Sequence, residues 1–237
     1  MNGDKKRFAS LCLYPIKRNY PLHEIENAQQ MEAYFDTMFD MSYRKMLAKE
    51  TADDKENHGW RGFAIGKGTV WIYDSVYAVS YYSAKERREL DRLAKKEMET
   101  LNPKMRGKGW KPYACYKDIT GKNYVRIDVK GSYKYRLAVY GAKPKASSAP
   151  KVIMYGKLSD NWGEGSAEEG VLTAYLEPSL LFVFGNKKDT VTIDAADTNI
   201  DDDGTVKMSF GNDDLSKCHK LKPCFWMDEI KKVEYFI

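Results

Sequence analysis

The cysteines are the first residues whose type and spacing invite chemistry. Cys218 and Cys224 flank a five-residue segment containing His219 and Pro223. That spacing suits a small disulfide loop between two C-terminal strands, with a pair of reduced thiols as the alternative. It is poor spacing for zinc, which wants a second Cys or His pair that the neighbourhood lacks. Cys12, on an apolar helix face, and Cys115, within Tyr-Ala-Cys-Tyr, read as small buried hydrophobes. Neither has a sequence neighbour suited to act as the base of a nucleophilic thiol.

Oxygen chemistry has three candidate locations. Asn199, Asp201 and Asp203 alternate ahead of Gly204, which matches the front half of a calcium loop. The twelfth position is Phe210 where a bidentate glutamate would be needed, so a solvated hairpin turn is the better account. Asp36, Asp40 and Asp74 are carboxylate candidates only by elimination. The three histidines, His23, His58 and His219, stand beside turn-like residues with no partner for acid–base work. No nucleophile elbow, phosphate loop or dinucleotide fingerprint is present. The expectation is therefore binding without catalysis, and no cofactor or metal. Trp60, Arg61, Tyr73 and Tyr77 are the expected ligand-binding residues, because apolar rings and one cation would share a cavity mouth. The same rings would equally serve as ordinary core.

These residues need elements to hold them. Asp4 to Leu13 reads as the end of a helix that begins almost at Met1 and is stopped by Tyr14-Pro15. Asn27 is a good N-cap, with Gln30 as its capping-box partner, ahead of Met31, Tyr34, Phe35, Met38 and Phe39 at helical spacing, followed by Tyr43, Met46 and Leu47. Two runs of β-forming residues from Trp60 to Tyr73 flank Gly66-Lys67-Gly68, a hairpin signal, and a further strand is expected over Val76–Tyr82. Ala84–Leu101 reads as an amphipathic helix with Leu90, Leu93, Ala94 and Leu101 on its apolar side. Asn102-Pro103 stops it.

Beyond that point the pattern changes to short strands with turns between them. They are expected at Ala114–Tyr116, Tyr124–Val129, Tyr133–Tyr140, Val152–Leu158, Val171–Leu176, Leu180–Phe184, Thr190–Ile193, Val206–Phe210 and Phe225–Ile237. The reading is an α+β protein: a roll over residues 1–101, a linker over 102–111, and an antiparallel β-sandwich or barrel over 112–237. No apolar run reaches the length of a membrane helix, so no transmembrane segment is expected.

Charge is unevenly distributed behind a net of +5. The balance is +1 over residues 1–101, +12 over 102–158 and −8 over 159–237. Lys130, Lys134 and Arg136, interleaved with Tyr133 and Tyr135, superficially resemble single-strand nucleic-acid equipment. Strand alternation puts the charges and the rings on opposite faces, and acidic segments follow. Pairing of basic with acidic strands within one domain is the simpler account, and nucleic acid is not the expected partner.

The run Gly3-Asp4, Ala9-Ser-Leu, Tyr14-Pro-Ile16, Asn27-Ala28, Tyr34-Phe-Asp36, Phe39, Trp60-Arg-Gly, Gly66-Lys-Gly and Val70-Trp71 resembles a group of uncharacterised, usually exported bacterial proteins. Their N-terminal domain is similar to the nuclear-transport-factor-2-like, cystatin-like α+β roll. The resemblance covers about residues 3–82 and implies helices first, then a curved antiparallel sheet wrapped on the longer helix. It implies a periplasmic or secreted location and an oxidising environment for Cys218 and Cys224. A helix that starts at the very N-terminus, together with that close cysteine pair, leads to the expectation of an export signal and first helical turns upstream of Met1. The resemblance implies no chemistry, because the roll hosts enzymes, binding modules and scaffolds alike. The expected function is a non-enzymatic binding or interaction module for a small molecule or a protein. The alternatives are a small-molecule enzyme using the N-terminal cavity, or an inhibitor or immunity-type protein acting through the β domain.

Overall fold

The computed structural model describes residues 4–51, 56–57, 62–131, 134–142, 144–145, 147–160, 180–185, 190–194, 206–210 and 219–227. It is a mixed α and β protein whose sheets are antiparallel. Packing divides it into two compact units, with the division between Leu93 and Ala94. Within the expected 102–111 linker, Asn102 caps a 3-10 turn (Pro103–Met105), Met105 is buried, and a strand starts at Trp110.

In the first unit, helix α1 (Lys5–Ser10) starts where the Asp4 side chain accepts the Arg7 backbone N–H. Helix α2 (Ala28–Met38) is capped by Asn27, whose side chain accepts the Gln30 N–H. Gln30 reaches back to the Glu26 N–H, one residue beyond the Asn27 N–H that a standard capping box uses. Met31, Phe35 and Met38 on one face of α2 are fully buried, and each such side chain contributes about 1.5–3 kcal/mol on leaving water. Phe8, Phe39 and Tyr43 complete this core. The helical pattern does not run unbroken to Leu47. Phe39 turns extended, and Asp40 starts helix α3 (Met41–Leu47) by accepting the Tyr43 N–H at 2.9 Å.

Four short strands follow: β1 (Glu56–Asn57), β2 (Phe63–Ile65), β3 (Val70–Ile72) and β4 (Val76–Val79), paired in sequence order. Gly66, Lys67 and Gly68 all take positive φ in the β2–β3 turn, as the hairpin signal requires. A bulge in the β3·β4 ladder matches Ile72 to Val76 and Trp71 to Ala78, leaving Tyr77 as the extra residue. Without that extra residue, Val76 and Val79 would face opposite sides; with it, both are buried in the core. Helix α4 (Ala84–Thr100) comes next, with the Ser83 hydroxyl accepting the Glu86 N–H at its start.

The second unit is a closed eight-stranded antiparallel barrel. Its strands are β5 (Trp110–Asp118), β6 (Asn123–Lys130), β7 (Lys134–Gly141), β8 (Val152–Asp160), β9 (Leu180–Gly185), β10 (Thr190–Asp194), β11 (Val206–Phe210) and β12 (His219–Pro223). Each pairs with the next in sequence, and β12 closes the wall on β5. Val125, Ile127, Tyr135, Leu137, Val139, Met154, Met208 and Leu221 form one buried cluster, the lumen side of an alternating pattern. A barrel of eight strands has an interior that side chains can fill or that can hold one small ligand.

Asp118 sets the β5–β6 corner. Its carboxylate accepts the Thr120 hydroxyl, the Lys122 and Asn123 backbone N–H groups and the Asn123 amide. Burial pushes its pKa up, but these four donors outweigh it and leave the group below its ordinary value. Of the strand expected over Phe225–Ile237, Trp226 and Met227 form a helical turn and residues 228–237 lie outside the described residues. The last described strand is His219–Pro223, with Leu221 inward between Lys220 and Lys222. The expected strand at Val171–Leu176 lies outside the described residues.

Candidate functional site

Of the four expected ligand-binding residues, Trp60 and Arg61 lie outside the described residues. Tyr73 follows β3 directly and is 60% exposed, its backbone N–H donating to the Ser75 carbonyl. Tyr77 is half-buried at the β-bulge. Tyr73 therefore presents its ring to solvent, while the bulge decides where the Tyr77 ring goes.

The carboxylates picked by elimination have separate structural roles. Asp36 pairs with Lys5 and Arg44 at the surface. Asp40 accepts hydrogen bonds from the Tyr81 and Ser42 hydroxyls at 2.6 and 2.5 Å as well as capping α3. Those hydrogen bonds, from Ser42 first and then Tyr81 and the Tyr43 N–H, lower its pKa to about 2. Tyr81 is pushed up to about 12 by burial and by the carboxylate it donates to. Its ring stacks 3.7 Å from that of Tyr43. Asp74 is exposed in the β3–β4 turn.

Two buried ion-pair systems were not foreseen. In the first unit, the Arg18 guanidinium meets Glu86 through two hydrogen bonds, Nε to Oε1 at 2.8 Å and Nη2 to Oε2 at 2.6 Å. It also donates to the Val79 and Tyr81 carbonyls and lies 3.9 Å from the Tyr82 ring centroid. Burial raises the Glu86 pKa, against the opposing effect of Arg18. A raised carboxylate is what an acid–base site would show, but both oxygens of this one are held by the arginine.

In the second unit, Glu97, Arg126, Asp128 and Arg136 form a chain of alternating charge. Arg126 Nη1 donates to Glu97, and Arg126 Nη2 lies 2.7 Å from Asp128 Oδ1 as an ion pair without an aligned hydrogen bond. Asp128 Oδ2 accepts from Arg136 Nε and Nη2 at 3.1 and 2.6 Å, and Arg136 donates again to the Met105 carbonyl. The side chains are 0–3% exposed, so this is a fully desolvated network. Arg126 and Arg136 lie 5.8 and 4.6 Å from the Trp226 and Trp110 ring centroids. Residues 126, 128 and 136 project from the outer face of the barrel wall, where Glu97, Met105 and Trp226 cover them.

A sequence signal for both systems existed. Glu86 and Glu97 fall on the same stripe of α4 as Leu90, Leu93 and Leu101, at spacings of three and four. Two acids on an apolar face demand buried cations. Nothing in the sequence names which arginines answer, because Arg18 sits in a polar loop and Arg126 on a strand.

Cys12 is half-buried, and Cys115 and Cys224 are buried. Cys218 lies outside the described residues, as do residues 199–204. Cys224 faces Cys115, with the sulfurs 2.8 Å apart. Among the described residues, no three His, Cys, Asp or Glu side chains gather where they could hold a metal ion. No helix of the described chain is long and apolar enough to cross a membrane. Comparison with protein-family models, with curated proteins and with solved structures finds no match.

Proposed function

We propose that this chain is a non-enzymatic, exported binding or interaction module, and that Trp60, Arg61, Tyr73 and Tyr77 form its ligand-contacting surface. The observation that carries the reading is how the buried charges are used. Glu86, Glu97 and Asp128 are each committed to an arginine inside a packed unit, an arrangement suited to holding shape rather than moving protons. Tyr73, by contrast, offers a large amphipathic ring to solvent beside a bulge that re-aims Tyr77. The order of helices before an antiparallel sheet supports the likeness to the nuclear-transport-factor-2-like roll.

A second reading is protein recognition through the barrel. Tyr155 is 57% exposed on β8, with the Trp110 ring 6.1 Å away. Trp110 is the cross-strand partner of Lys130, which in turn pairs with Lys134. Aromatic rings rimmed by lysines suit an acidic protein surface.

Screening a fragment library by ligand-observed NMR tests the first reading. Fragments bound by the wild type should be lost in Tyr73→Ala and Arg61→Ala, with the melting midpoints unchanged. Retention of those fragments by the two variants but not by Tyr155→Ala would favour the barrel surface. Multiple turnover of chromogenic ester, glycoside or phosphate substrates, abolished in Glu86→Gln, would replace both readings with an enzyme.

A further inference from the structure

Cys115 and Cys224 are separated by 109 residues in sequence and brought together by barrel closure. The β12·β5 ladder ends with Pro223 opposite Tyr116, so the next step in register sets Cys224 against Cys115. The backbone carries this contact one residue beyond the ladder, the Cys224 N–H donating to the Cys115 carbonyl at 2.8 Å. Both side chains are buried, at 2% and 7% exposure, and their sulfurs are 2.8 Å apart. Two residues on, Trp226 is fully buried, 4.7 Å from the Tyr140 ring. It also covers Arg126.

We propose that Cys115 and Cys224 are the disulfide-forming pair of this chain, a thiol–disulfide exchange site that fastens the segment Cys224–Met227 across the closing seam of the barrel. Cys224 is thereby taken from the pairing with Cys218 that sequence spacing suggested. The oxidant is a disulfide donor, either a small molecule such as oxidised glutathione or a protein disulfide. The Cys224 thiolate attacks one donor sulfur, forming a mixed disulfide and expelling the first donor thiolate. The Cys115 thiolate then attacks the Cys224 sulfur, forming the Cys115–Cys224 bond and expelling the second. The two protons of the cysteine thiols end on the two donor thiolates, so one disulfide is exchanged for another. Burial raises the Cys115 thiol well above its ordinary pKa, which holds it protonated in the closed barrel. Because both side chains are buried once the barrel has closed, the exchange takes place during folding. The pairing stands on the barrel geometry and does not depend on what the chain binds.

The experiment refolds the full chain from denaturant in a glutathione redox buffer, alkylates free thiols with iodoacetamide, and maps peptides by mass spectrometry without reduction. The expected product is a Cys115 peptide joined to a Cys224 peptide, two hydrogens lighter than their sum, with Cys12 and Cys218 alkylated. Cys218→Ser should keep that link and Cys115→Ser should remove it. The oxidised protein should melt above its reduced form. A Cys218–Cys224 link, or alkylation of both Cys115 and Cys224 in the refolded wild type, would overturn the proposal. Should Cys115→Ser not fold, the wild-type and Cys218→Ser maps still decide between the pairings.

Discussion

Replacing Asp128 by asparagine removes one charge from a group of four that is neutral as it stands. Glu97 and Asp128 supply two negative charges and Arg126 and Arg136 two positive ones, all 0–3% exposed. Asparagine preserves volume and can still accept a hydrogen bond, so packing is nearly constant. The change leaves two buried guanidiniums with Glu97 alone. Among the described residues, Arg136 then has no carboxylate partner and keeps the Met105 carbonyl, at 2.7 Å, and the Trp110 ring. Breaking one partner out of a buried pair costs about 3–5 kcal/mol, because an uncompensated charge remains in a medium that solvates it poorly. The direction follows from burial. The same pair at the surface would be worth about 1 kcal/mol or less. Urea denaturation followed by tryptophan fluorescence suits the test, since Trp110 and Trp226 both lie over the arginines of the network. The midpoint should fall sharply with little change in slope. A control replaces the whole set together (Glu97→Leu, Arg126→Met, Asp128→Leu, Arg136→Met) and should recover most of the loss, because no buried charge remains. Asp128→Asn within about 0.5 kcal/mol of wild type, the range of an ordinary surface change, would refute the claim that this network is closed to water.

Other consequences are open to direct measurement. Asp40→Ala removes the cap of α3 and the acceptor for Tyr81, and should destabilise the protein by about 1–2 kcal/mol in thermal denaturation. Because the Asp40 pKa is held down near 2, its contribution is present above the ordinary carboxylate value and is lost as pH falls toward 2; Asp40→Asn should flatten that part of the acid-unfolding profile. Gly66→Ala should destabilise by more than about 1 kcal/mol, since φ is +67° there and an added Cβ would run into the Tyr43 hydroxyl; Gly121→Ala, at the same φ but with open space around it, should be milder in the same melt. Glu86→Gln should lower the melting midpoint more than Glu89→Gln, whose carboxylate pairs with Arg92 at the helix surface.

Local order was legible from residue types alone. Asn27 announced a helix start because a short side-chain oxygen is a good acceptor for an unpaired helical N–H, whereas the sequence at Asp4, where α1 starts, reads as the end of a longer helix. The positive-φ turn at Gly66-Lys67-Gly68, the change from helical to alternating periodicity, and the run of short strands were all visible for similarly local reasons. Some local details escaped even so. Asp40 recaps the chain after Phe39, and strand β12 hides between two cysteines whose spacing suggested a loop.

Tertiary structure alone decided which distant residues meet. The stripe on α4 shows that Glu86 and Glu97 are buried, yet only the fold assigns Arg18 to one and Arg126 to the other, across 68 and 29 residues. Strand alternation correctly put Arg136 opposite Tyr135, but it could not show that the outward arginine would be roofed over and paired with Asp128. Cys224 likewise has Cys218 as its neighbour in sequence and Cys115 as its neighbour in space. Barrel closure sets β12 beside β5, and register then fixes the partner. Sequence spacing measures how short a loop must be. Which strands become neighbours is set by closure of the ladder around a shared buried face, a condition no single segment carries.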